Sequence, residues 1–411
     1  MDRSGPGVDW LLADLSPGVL QARLLARRLD RIVQEMGEGI SEALYRRTRD
    51  AVVRGNHEFI LADPDNDRVL RELLRQETPV AASGPPRPDI GLPGDPRQLR
   101  EVWEDLSSSD RAELFHLDPF LGNREGIPTA DRDIYTRRAL DGLLERARGA
   151  NDHTRAAAYA KIKRMLDEPG LYLTYIDNDG GLAFSRGNPD FSRNTAVLLQ
   201  PAQRPQHVLD YASSTVEQFH QLALRTAPNS RTAVSYWGVY NQPQSMLQAM
   251  FPQFAQDGAA RVRDYHEGLR ATHEGPSAHI TTIGHSYGSV LAGHSAGYGE
   301  TLNTDVVVSM GSWGMGADHV GELSLTGVSP ERTGERVFST ISPTDFVQLM
   351  PDTHGRLPTD RDFDATVFAS TPRFAGQWNP LDHSVEAYLH SGNPASGNIG
   401  LIITGYGDLV A

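Results

Sequence analysis

The sequence has no cysteine and almost no lysine. The absence of cysteine among 411 residues excludes disulfides, thiol catalysis and cysteine-ligated zinc. Only Lys161 and Lys163 are lysines, so arginine supplies nearly all of the positive charge. The histidines are dispersed and show no spacing typical of metal ligands, so we expect neither a metal nor a cofactor.

Long apolar runs and an excess of positive charge are also missing. The 53 acidic and 39 basic residues give a formal net charge of −14, and no Lys/Arg run resembles a nucleic-acid-binding surface. There is no run of about 18 apolar residues, and the first residues lack the apolar segment of a signal peptide. We therefore expect a soluble, cytoplasmic protein without a nucleic-acid partner or a transmembrane segment, although non-classical export stays open.

The chain divides into three parts by composition. Helical periodicity predicts an N-terminal helical region over residues 1–75, and the Pro/Gly-rich residues 76–98 read as a linker. The remaining residues, 99–411, form the main domain, with a helical segment over 99–168 and a sheet core over 169–411. The N-terminal helices are either ordinary packed helices with charged outer faces or a surface for a protein partner.

The sheet core alternates strand-like and helical patterns, which predicts an α/β fold. Such alternation favours a mostly parallel sheet with helices on both faces, here preceded by an antiparallel hairpin around a Gly-rich turn. The predicted strands are residues 171–176, 182–185, 195–199, 231–237, 280–283, 305–310, 336–341, 365–369 and 399–404, and two long helices are predicted at 208–224 and 254–271.

Ser286 lies in the most informative stretch, where a β-branched strand runs into GHSYG and then into a helical pattern. Gly284 and Gly288 flank the serine in the G-x-S-x-G spacing of a nucleophile elbow, a strained strand-to-helix turn that leaves room only for glycine at those positions. The Tyr287 N–H would then help to bind an oxyanion. Ser295 also satisfies G-x-S-x-G, but no strand precedes it, so we interpret it as a helix-packing residue.

A serine nucleophile needs a base and an acid, which follow it in the order acid, then histidine. His383 lies in an irregular loop late in the chain and is the predicted base, whereas His294 falls inside the helix after the turn. Asp345 directly follows the strand at 336–341 and is the predicted acid. Asp352 is the second choice for the acid, and His354, His390, His319 and Asp318 are weaker alternatives.

The oxyanion hole and the substrate pocket are predicted from loops after the strands. The second oxyanion donor should be a backbone N–H near Gln200, Ala202 or Gln203, with Gln200 as the first choice, because Pro201 has no N–H. Aromatic and polar side chains on neighbouring loops would line the pocket, although each could equally be ordinary core packing. These pocket candidates are Trp237, Tyr240, His285 and Trp313.

The segment 118–140 combines an irregular Pro/Gly stretch with a charged helix start. The spacing of Asp133 and Arg137 allows an i,i+4 ion pair. The pattern leaves two interpretations open: a capped helix with surface ion pairs, or a loop that lies against the catalytic face.

Together these motifs resemble an actinobacterial α/β-hydrolase family known only as a domain of unknown function, often with a helical N-terminal region. The resemblance rests on residues 122–128 (GNREGIP) followed by Arg132 and Asp133, on 236–243 (YWGVYNQP), on 284–289 (GHSYGS), on 305–312, and on His383 with Tyr388. It implies an α/β-hydrolase fold, a Ser286–His383–Asp345 triad, and a place for residues 122–133 within the hydrolase unit. Two turns depart from the family pattern, at 199–201 and at 311–314.

The predicted function is that of a serine hydrolase acting through an acyl-enzyme at Ser286, with a small-molecule carboxylic ester as substrate. A peptidase or amidase on the same triad is an alternative that the sequence does not separate from an esterase. A second alternative is a secretion-associated interaction module in which the hydrolase core is only a scaffold. The Ser, Asp and His in catalytic order favour the enzyme.

Overall fold

A computed structural model describes residues 89–203, 205–350, 352–373 and 380–410 of the chain. The predicted N-terminal helical region and most of the predicted linker lie outside these residues. Ten α-helices occur in the described part: α1 (Pro96–Asp105), α2 (Ser108–Leu117), α3 (Thr129–Gly149), α4 (His153–Met165), α5 (Pro205–Thr226), α6 (Met246–Ala249), α7 (Gln253–Thr272), α8 (Tyr287–Ala296), α9 (Val385–Leu389) and α10 (Pro394–Ile403). No helix within these ranges is both long and apolar enough to span a bilayer.

The first helices begin where side chains cap them. Asp95 accepts the backbone N–H groups of Arg97 and Gln98 at the start of α1, where Pro96 needs no hydrogen-bond partner. Ser107 and Asp110 form a reciprocal capping box at the start of α2. These local signals explain why helical structure begins at Pro96, inside the predicted linker.

One large sheet forms the centre of the molecule. Its strands are β1 (Leu171–Ile176), β2 (Leu182–Arg186), β3 (Asn194–Leu199), β4 (Thr232–Gly238), β5 (His279–His285), β6 (Val306–Met310), β8 (Val337–Thr340) and β10 (Thr366–Val367). Their order across the sheet is β1-β2-β4-β3-β5-β6-β8-β10, while β7 (Gly314–Ala317) and β9 (His354–Gly355) form a separate pair. β2 runs antiparallel to β1 and β4, and the other neighbours are parallel.

Apolar side chains cover both faces of this sheet. Along β3, Ala196 and Leu198 pack with α3, α4, α5 and α10, whereas Val197 and Leu199 pack with α7 and α8. Alternate residues of a strand point to opposite faces, so a strand buried on both sides reads as continuously apolar. The predicted mostly parallel sheet with helices on both faces is confirmed.

The segment from Gly122 to Asp133 anchors the edge strand β1. Asn123 donates to the carbonyl of Ile176 at 2.8 Å and accepts its N–H at 3.1 Å, and Arg132 donates to the carbonyl of Thr174 at 2.7 Å. β1 lies four strands from β5, about 19 Å at the usual spacing of roughly 4.8 Å. The loop therefore lies along the outer edge of the sheet, four strands from the strand that leads into Ser286, and its predicted place against the catalytic face stays a prediction.

The predicted strand at 399–404 is wrong, because residues 399–403 belong to α10 and Thr404 is its C-cap. Asn393 caps this helix by accepting the N–H of Ala395, and Pro394 occupies its first position. A Cβ on Gly400 would lie 2.2 Å from Oγ1 of Thr226, so this glycine lets α10 pack closely on α5. The last strand of the sheet is β10, and the segment with His383 follows it.

Candidate active site

Ser286 occupies a sharp turn between β5 and α8. Its backbone has φ 54° and ψ −127°, a combination that residues with a side chain rarely adopt. Such a conformation typically costs about 1–3 kcal/mol and persists only where the surrounding structure imposes it. The Ser286 N–H donates to the carbonyl of Met310 at 3.0 Å, which ties the turn to the end of β6. The serine is thereby held at the carboxyl edge of the parallel strands.

Two glycines make this turn sterically feasible. A Cβ on Gly284 would lie 2.4 Å from Cα of Ser289, and one on Gly288 would lie 2.6 Å from the carbonyl oxygen of Leu199. Both contacts are with backbone atoms, which have little freedom to move away. The Ser289 hydroxyl also donates to the Gly284 carbonyl at 2.8 Å. The G-x-S-x-G spacing therefore follows from the close approach of α8 to β3 and β5.

Asp345 and His383 form a buried acid–base pair. Nδ1 of His383 lies 3.0 Å from Oδ1 and 2.9 Å from Oδ2 of Asp345, and the two residues are only 1% and 0% exposed. Asp345 follows β8, and His383 ends the short 3-10 turn Pro380–His383. A carboxylate at Nδ1 keeps a proton on that nitrogen, so Nε2 becomes the proton acceptor. This arrangement can provide a general base.

Further donors hold the Asp345 carboxylate in place. The Tyr388 hydroxyl donates to Oδ2 at 2.5 Å, and the Val347 N–H donates to Oδ1 at 3.1 Å. Tyr388 also accepts the N–H of Ser342 at 3.1 Å. Burial and the nearby Asp345 carboxylate raise the pKa of Tyr388 well above its usual value, so the phenol keeps the proton that it donates.

His285, the residue before Ser286, connects the serine turn with the base. Its Nε2 lies 2.7 Å from the carbonyl oxygen of His383, and the centroids of the two rings are 4.9 Å apart. Its Nδ1 lies 3.2 Å from the hydroxyl of Tyr211 on α5. Burial, and then the neighbouring His383, lower the pKa of His285 to about 3. The structure thus brings Asp345 and His383 next to the turn that carries Ser286.

The backbone N–H groups near the turn define where an oxyanion could bind. Tyr287 is the first residue of α8, so its N–H belongs to the helix N-terminus. The Gln200 N–H donates to the carbonyl of Trp237 at 3.0 Å, and the Gln203 N–H donates to that of Pro243 at 2.8 Å. Because the Gln200 N–H is already engaged in the sheet, the structure argues against it as the second oxyanion donor.

The side chains predicted to line a pocket are all buried. Trp237 stacks on Tyr240 with ring centroids 6.0 Å apart, and Trp313 stacks on His354 at 5.7 Å. Trp237, Tyr240 and Trp313 belong to the apolar cluster between the sheet and helices α7 and α8. His285 instead bonds to His383, as described above. A role for these four residues in contacting substrate stays a prediction.

The second G-x-S-x-G match lies inside helix α8. The Ser295 hydroxyl is fully buried and donates to the carbonyl of Leu291, one turn earlier, at 2.7 Å. A Cβ on Gly293 would lie 1.8 Å from the carbonyl oxygen of Met315, so this glycine serves the packing of α8 against β7. The helical context of Ser295 matches its interpretation as a packing residue.

The alternative acids and bases have other surroundings. Asp352 is exposed, and Asp318 accepts the backbone N–H of Arg356 at 3.1 Å. His294 stacks on Tyr298 with centroids 4.7 Å apart. Among the weaker histidines, the exposed His319 caps a short 3-10 turn, His390 ends α9, and His354 bonds to the Ala249 carbonyl. No group of three His, Asp or Glu residues in the described part of the chain could hold a metal ion.

Sequence reasoning missed two residues that shape the site. Asp382 is fully buried beside His383, accepts the Arg373 N–H at 2.9 Å and receives a hydrogen bond from Thr344, next to Asp345. Tyr211 contacts His285 from the second turn of α5. In the sequence, only the position of Asp382 next to His383 could have indicated that Asp382 belongs to the site. There is no such indication in the sequence for Tyr211, because this residue continues the apolar pattern of its helix.

Comparisons with known proteins agree with this architecture. A family model described as alpha/beta hydrolase matches residues 192–354. The uncharacterized protein Rv2079 of Mycobacterium tuberculosis is 25% identical over 420 residues, which cover 86% of this chain and 62% of that protein. This chain therefore spans less than two thirds of the length of that relative.

Two solved esterase structures are also similar. The carboxyl esterase 2 of Tuber melanosporum matches at TM-score 0.34 and 12% identity over 56% of this chain and 83% of its own. A thermophilic esterase of Thermogutta terrifontis matches at TM-score 0.33 and 12% identity over 58% of this chain and 96% of its own.

The protein has an α/β-hydrolase fold. This conclusion rests on the mostly parallel sheet with helices on both faces, on the strand-to-helix turn at Ser286, and on the matching family model. The relative from Mycobacterium tuberculosis agrees with the predicted resemblance to actinobacterial proteins, whereas the more specific family of unknown function stays a prediction.

Proposed function

We propose that the protein is a serine hydrolase in which Ser286 is the nucleophile, His383 the general base and Asp345 the acid that orients it. The observation that carries this proposal is the buried Asp345–His383 pair, joined through His285 to the strained turn at Ser286. Fold alone does not define an activity. A strained serine beside a carboxylate-bound imidazole is the arrangement that nucleophilic acyl transfer requires.

The proposed reaction proceeds through an acyl-enzyme. Oγ of Ser286 attacks the acyl carbonyl while Nε2 of His383 takes its proton, and the same proton then passes to the leaving group. Water attacks the acyl-enzyme in the second half of the reaction, again with His383 as base. The Tyr287 N–H would bind the oxyanion, and we assign the second donor to Ala202, because the N–H groups of Gln200 and Gln203 are engaged.

We assign carboxylic esters as the substrate class. The alkoxide or phenoxide of an ester departs more easily than the amine of an amide, so a triad of this kind turns over esters with the least further assistance. The aromatic side chains near the turn, among them Trp313, favour an acyl group that is at least partly apolar.

The nucleophile can be tested with a fluorophosphonate probe. Wild-type protein is expected to be labelled, Ser286→Ala to lose labelling, and Ser295→Ala to keep it, because Ser295 lies buried inside α8. Intact mass spectrometry and peptide mapping measure the modification. An unlabelled wild type, or a label that survives Ser286→Ala, removes the proposal.

The substrate class needs a matched pair of compounds. With p-nitrophenyl butyrate and the p-nitroanilide of butyric acid, kcat/KM is expected to favour the ester by at least about 10³-fold, a difference of roughly 4 kcal/mol in transition-state stabilisation. Comparable values for the two compounds would instead identify an amidase.

A further inference from the structure

A directed hydrogen-bond chain runs from α5 through the serine strand to the base. It consists of the Tyr211 hydroxyl, the two ring nitrogens of His285 and the main-chain carbonyl of His383, at 3.2 Å and 2.7 Å. His285 was predicted to line the substrate pocket. Its ring nitrogens instead contact two protein groups, and the residue is only 8% exposed.

The chemistry of the partners fixes the direction of this chain. A carbonyl oxygen can only accept, so Nε2 of His285 must carry a hydrogen. Burial keeps His285 neutral, which leaves Nδ1 with a lone pair that accepts from the Tyr211 hydroxyl. Burial also raises the pKa of Tyr211, so the phenol retains the proton it donates. Each group therefore has a single role.

The carbonyl of His383 needs such a donor because of its place in the fold. His383 is the last residue of a four-residue 3-10 turn, and α9 begins only at Val385. The last carbonyls of a helical turn have no partner within the turn itself. His285 supplies that partner from β5, the strand that leads directly into Ser286.

The groups around His285 suit a base that becomes positively charged during turnover. The His383 ring and the Asp345 carboxylate lie on one side, and the phenols of Tyr211 and Tyr388 approach it from α5 and α9. A neutral His285 adds no positive charge next to the His383 imidazolium that forms when Ser286 is deprotonated.

We propose that His285 is a positioning residue, which holds the general base at the distance and angle that proton transfer from Ser286 requires by donating to its main-chain carbonyl. The proposal rests on the proposed function, since it assigns His285 a role in the triad. Both ring nitrogens of His285 are bonded to protein groups, and the residue connects the strand of the nucleophile directly to the loop of the base.

Two substitutions of similar size distinguish hydrogen-bond donation by His285 from a role in packing alone. In His285→Gln, the amide nitrogen occupies roughly the place of Nε2 and still donates to His383, whereas His285→Met has a similar length but no donor. We expect the Met variant to lose about 10- to 100-fold in kcat, with KM within about twofold of wild type, because a misplacement of about 1 Å is that costly. The Gln variant should stay within about fivefold of wild type.

The measurements are steady-state kinetics on p-nitrophenyl butyrate, the second-order rate of fluorophosphonate labelling at Ser286, and thermal unfolding of each variant. A folded Met variant with wild-type kcat, or equal losses in the Met and Gln variants, overturns the positioning role while the triad stands. An unlabelled wild type overturns the proposed function, and the positioning role with it.

If neither variant folds, the wild-type protein decides the question. Side-chain ¹⁵N spectra of histidine-labelled protein report the tautomer of His285, with the signal identified by its coupling across the hydrogen bond to the His383 carbonyl. The proposal requires a neutral ring protonated at Nε2 from about pH 6 to 9. A ring protonated at Nδ1, or one that titrates in this range, overturns it.

Discussion

The orientation of the Asp345 carboxylate toward His383 depends on a few buried hydrogen bonds. Asp345 accepts from Tyr388, from the Val347 N–H and from His383, and all of these groups are shielded from water. A buried carboxylate without such donors would carry a large desolvation cost. The hydroxyl of Tyr388 therefore contributes both to folding stability and to the orientation of the acid.

Replacing Tyr388 by Phe should cost stability and turnover together. Removing the donor to a buried carboxylate is expected to lower the free energy of unfolding by about 2–3 kcal/mol and to reduce kcat several-fold. Urea denaturation and ester kinetics measure the two effects. The control is Tyr406→Phe at a half-exposed position, where we expect a change within about 0.5 kcal/mol. Equal stability of the two variants would refute this role of Tyr388.

At the level of single residues, part of the candidate site could be predicted from the sequence. Ser286, Asp345 and His383 follow one another in the chain order typical of the α/β-hydrolase fold, and the structure brings Asp345 and His383 next to the turn that carries Ser286. The sequence narrowed the second oxyanion donor to Gln200, Ala202 or Gln203 and could not choose among them, because only the fold shows that the Gln200 N–H donates to the carbonyl of Trp237. Nothing local in α5 indicates that Tyr211 faces His285.

Among the secondary-structure elements, helix α8 matters most because it approaches its neighbours unusually closely. Gly288 meets the end of β3, and Gly293 meets β7. These approaches set the position of the helix N-terminus, and with it the Tyr287 N–H. The close packing of α8 on its neighbours therefore requires glycine at these positions.

Gly288→Ala should disrupt both packing and chemistry. The added methyl would lie 2.6 Å from the Leu199 carbonyl oxygen, so we expect a loss of about 1–3 kcal/mol in stability and a clear fall in fluorophosphonate labelling. Gly397→Ala in α10 is the matched control, because nothing lies within 4 Å of its added methyl. There the better helix propensity of alanine should raise stability by up to about 1 kcal/mol. The prediction fails if both variants gain stability.

Strands could be predicted where the hydrophobic pattern and the flanking turn residues agreed. β1 to β6 lie where alternating patterns and turn residues indicated them, including the hairpin that starts the sheet. The run at 399–404 is apolar and β-branched, and a short run of this kind does not distinguish a strand from a buried helix. The capping signals of Asn393 and Pro394 were the evidence for a helix.

Over the whole molecule, buried neutral histidines make folding sensitive to acid. Burial lowers the pKa of His266, His294 and His354 to about 4 and that of His285 to about 3. In the unfolded chain these groups bind protons near pH 6.5. The unfolded state therefore binds more protons below that pH, and the native state loses stability as the pH falls from about 6.5 toward 4.

The contribution of each buried histidine to this loss of stability at low pH can be measured separately. Each such residue adds a slope of about 1.4 kcal/mol per pH unit to the free energy of unfolding between about pH 6 and 4. We expect His266→Gln to reduce that slope, and His319→Gln, at an exposed position, to leave it unchanged. Urea denaturation at a series of pH values gives the slopes. Identical slopes for wild type and His266→Gln would contradict the prediction.

The order of the site residues along the chain has a consequence for synthesis. Ser286 directly follows β5, whereas Asp345 follows β8 and His383 follows β10, about a hundred residues after the serine. During synthesis, Ser286 therefore leaves the ribosome well before Asp345 and His383 do. Under the proposed mechanism, the hydroxyl of Ser286 stays unreactive in the emerging polypeptide, and reactivity toward acyl groups arises only after the segment that carries His383 has packed beside the serine turn.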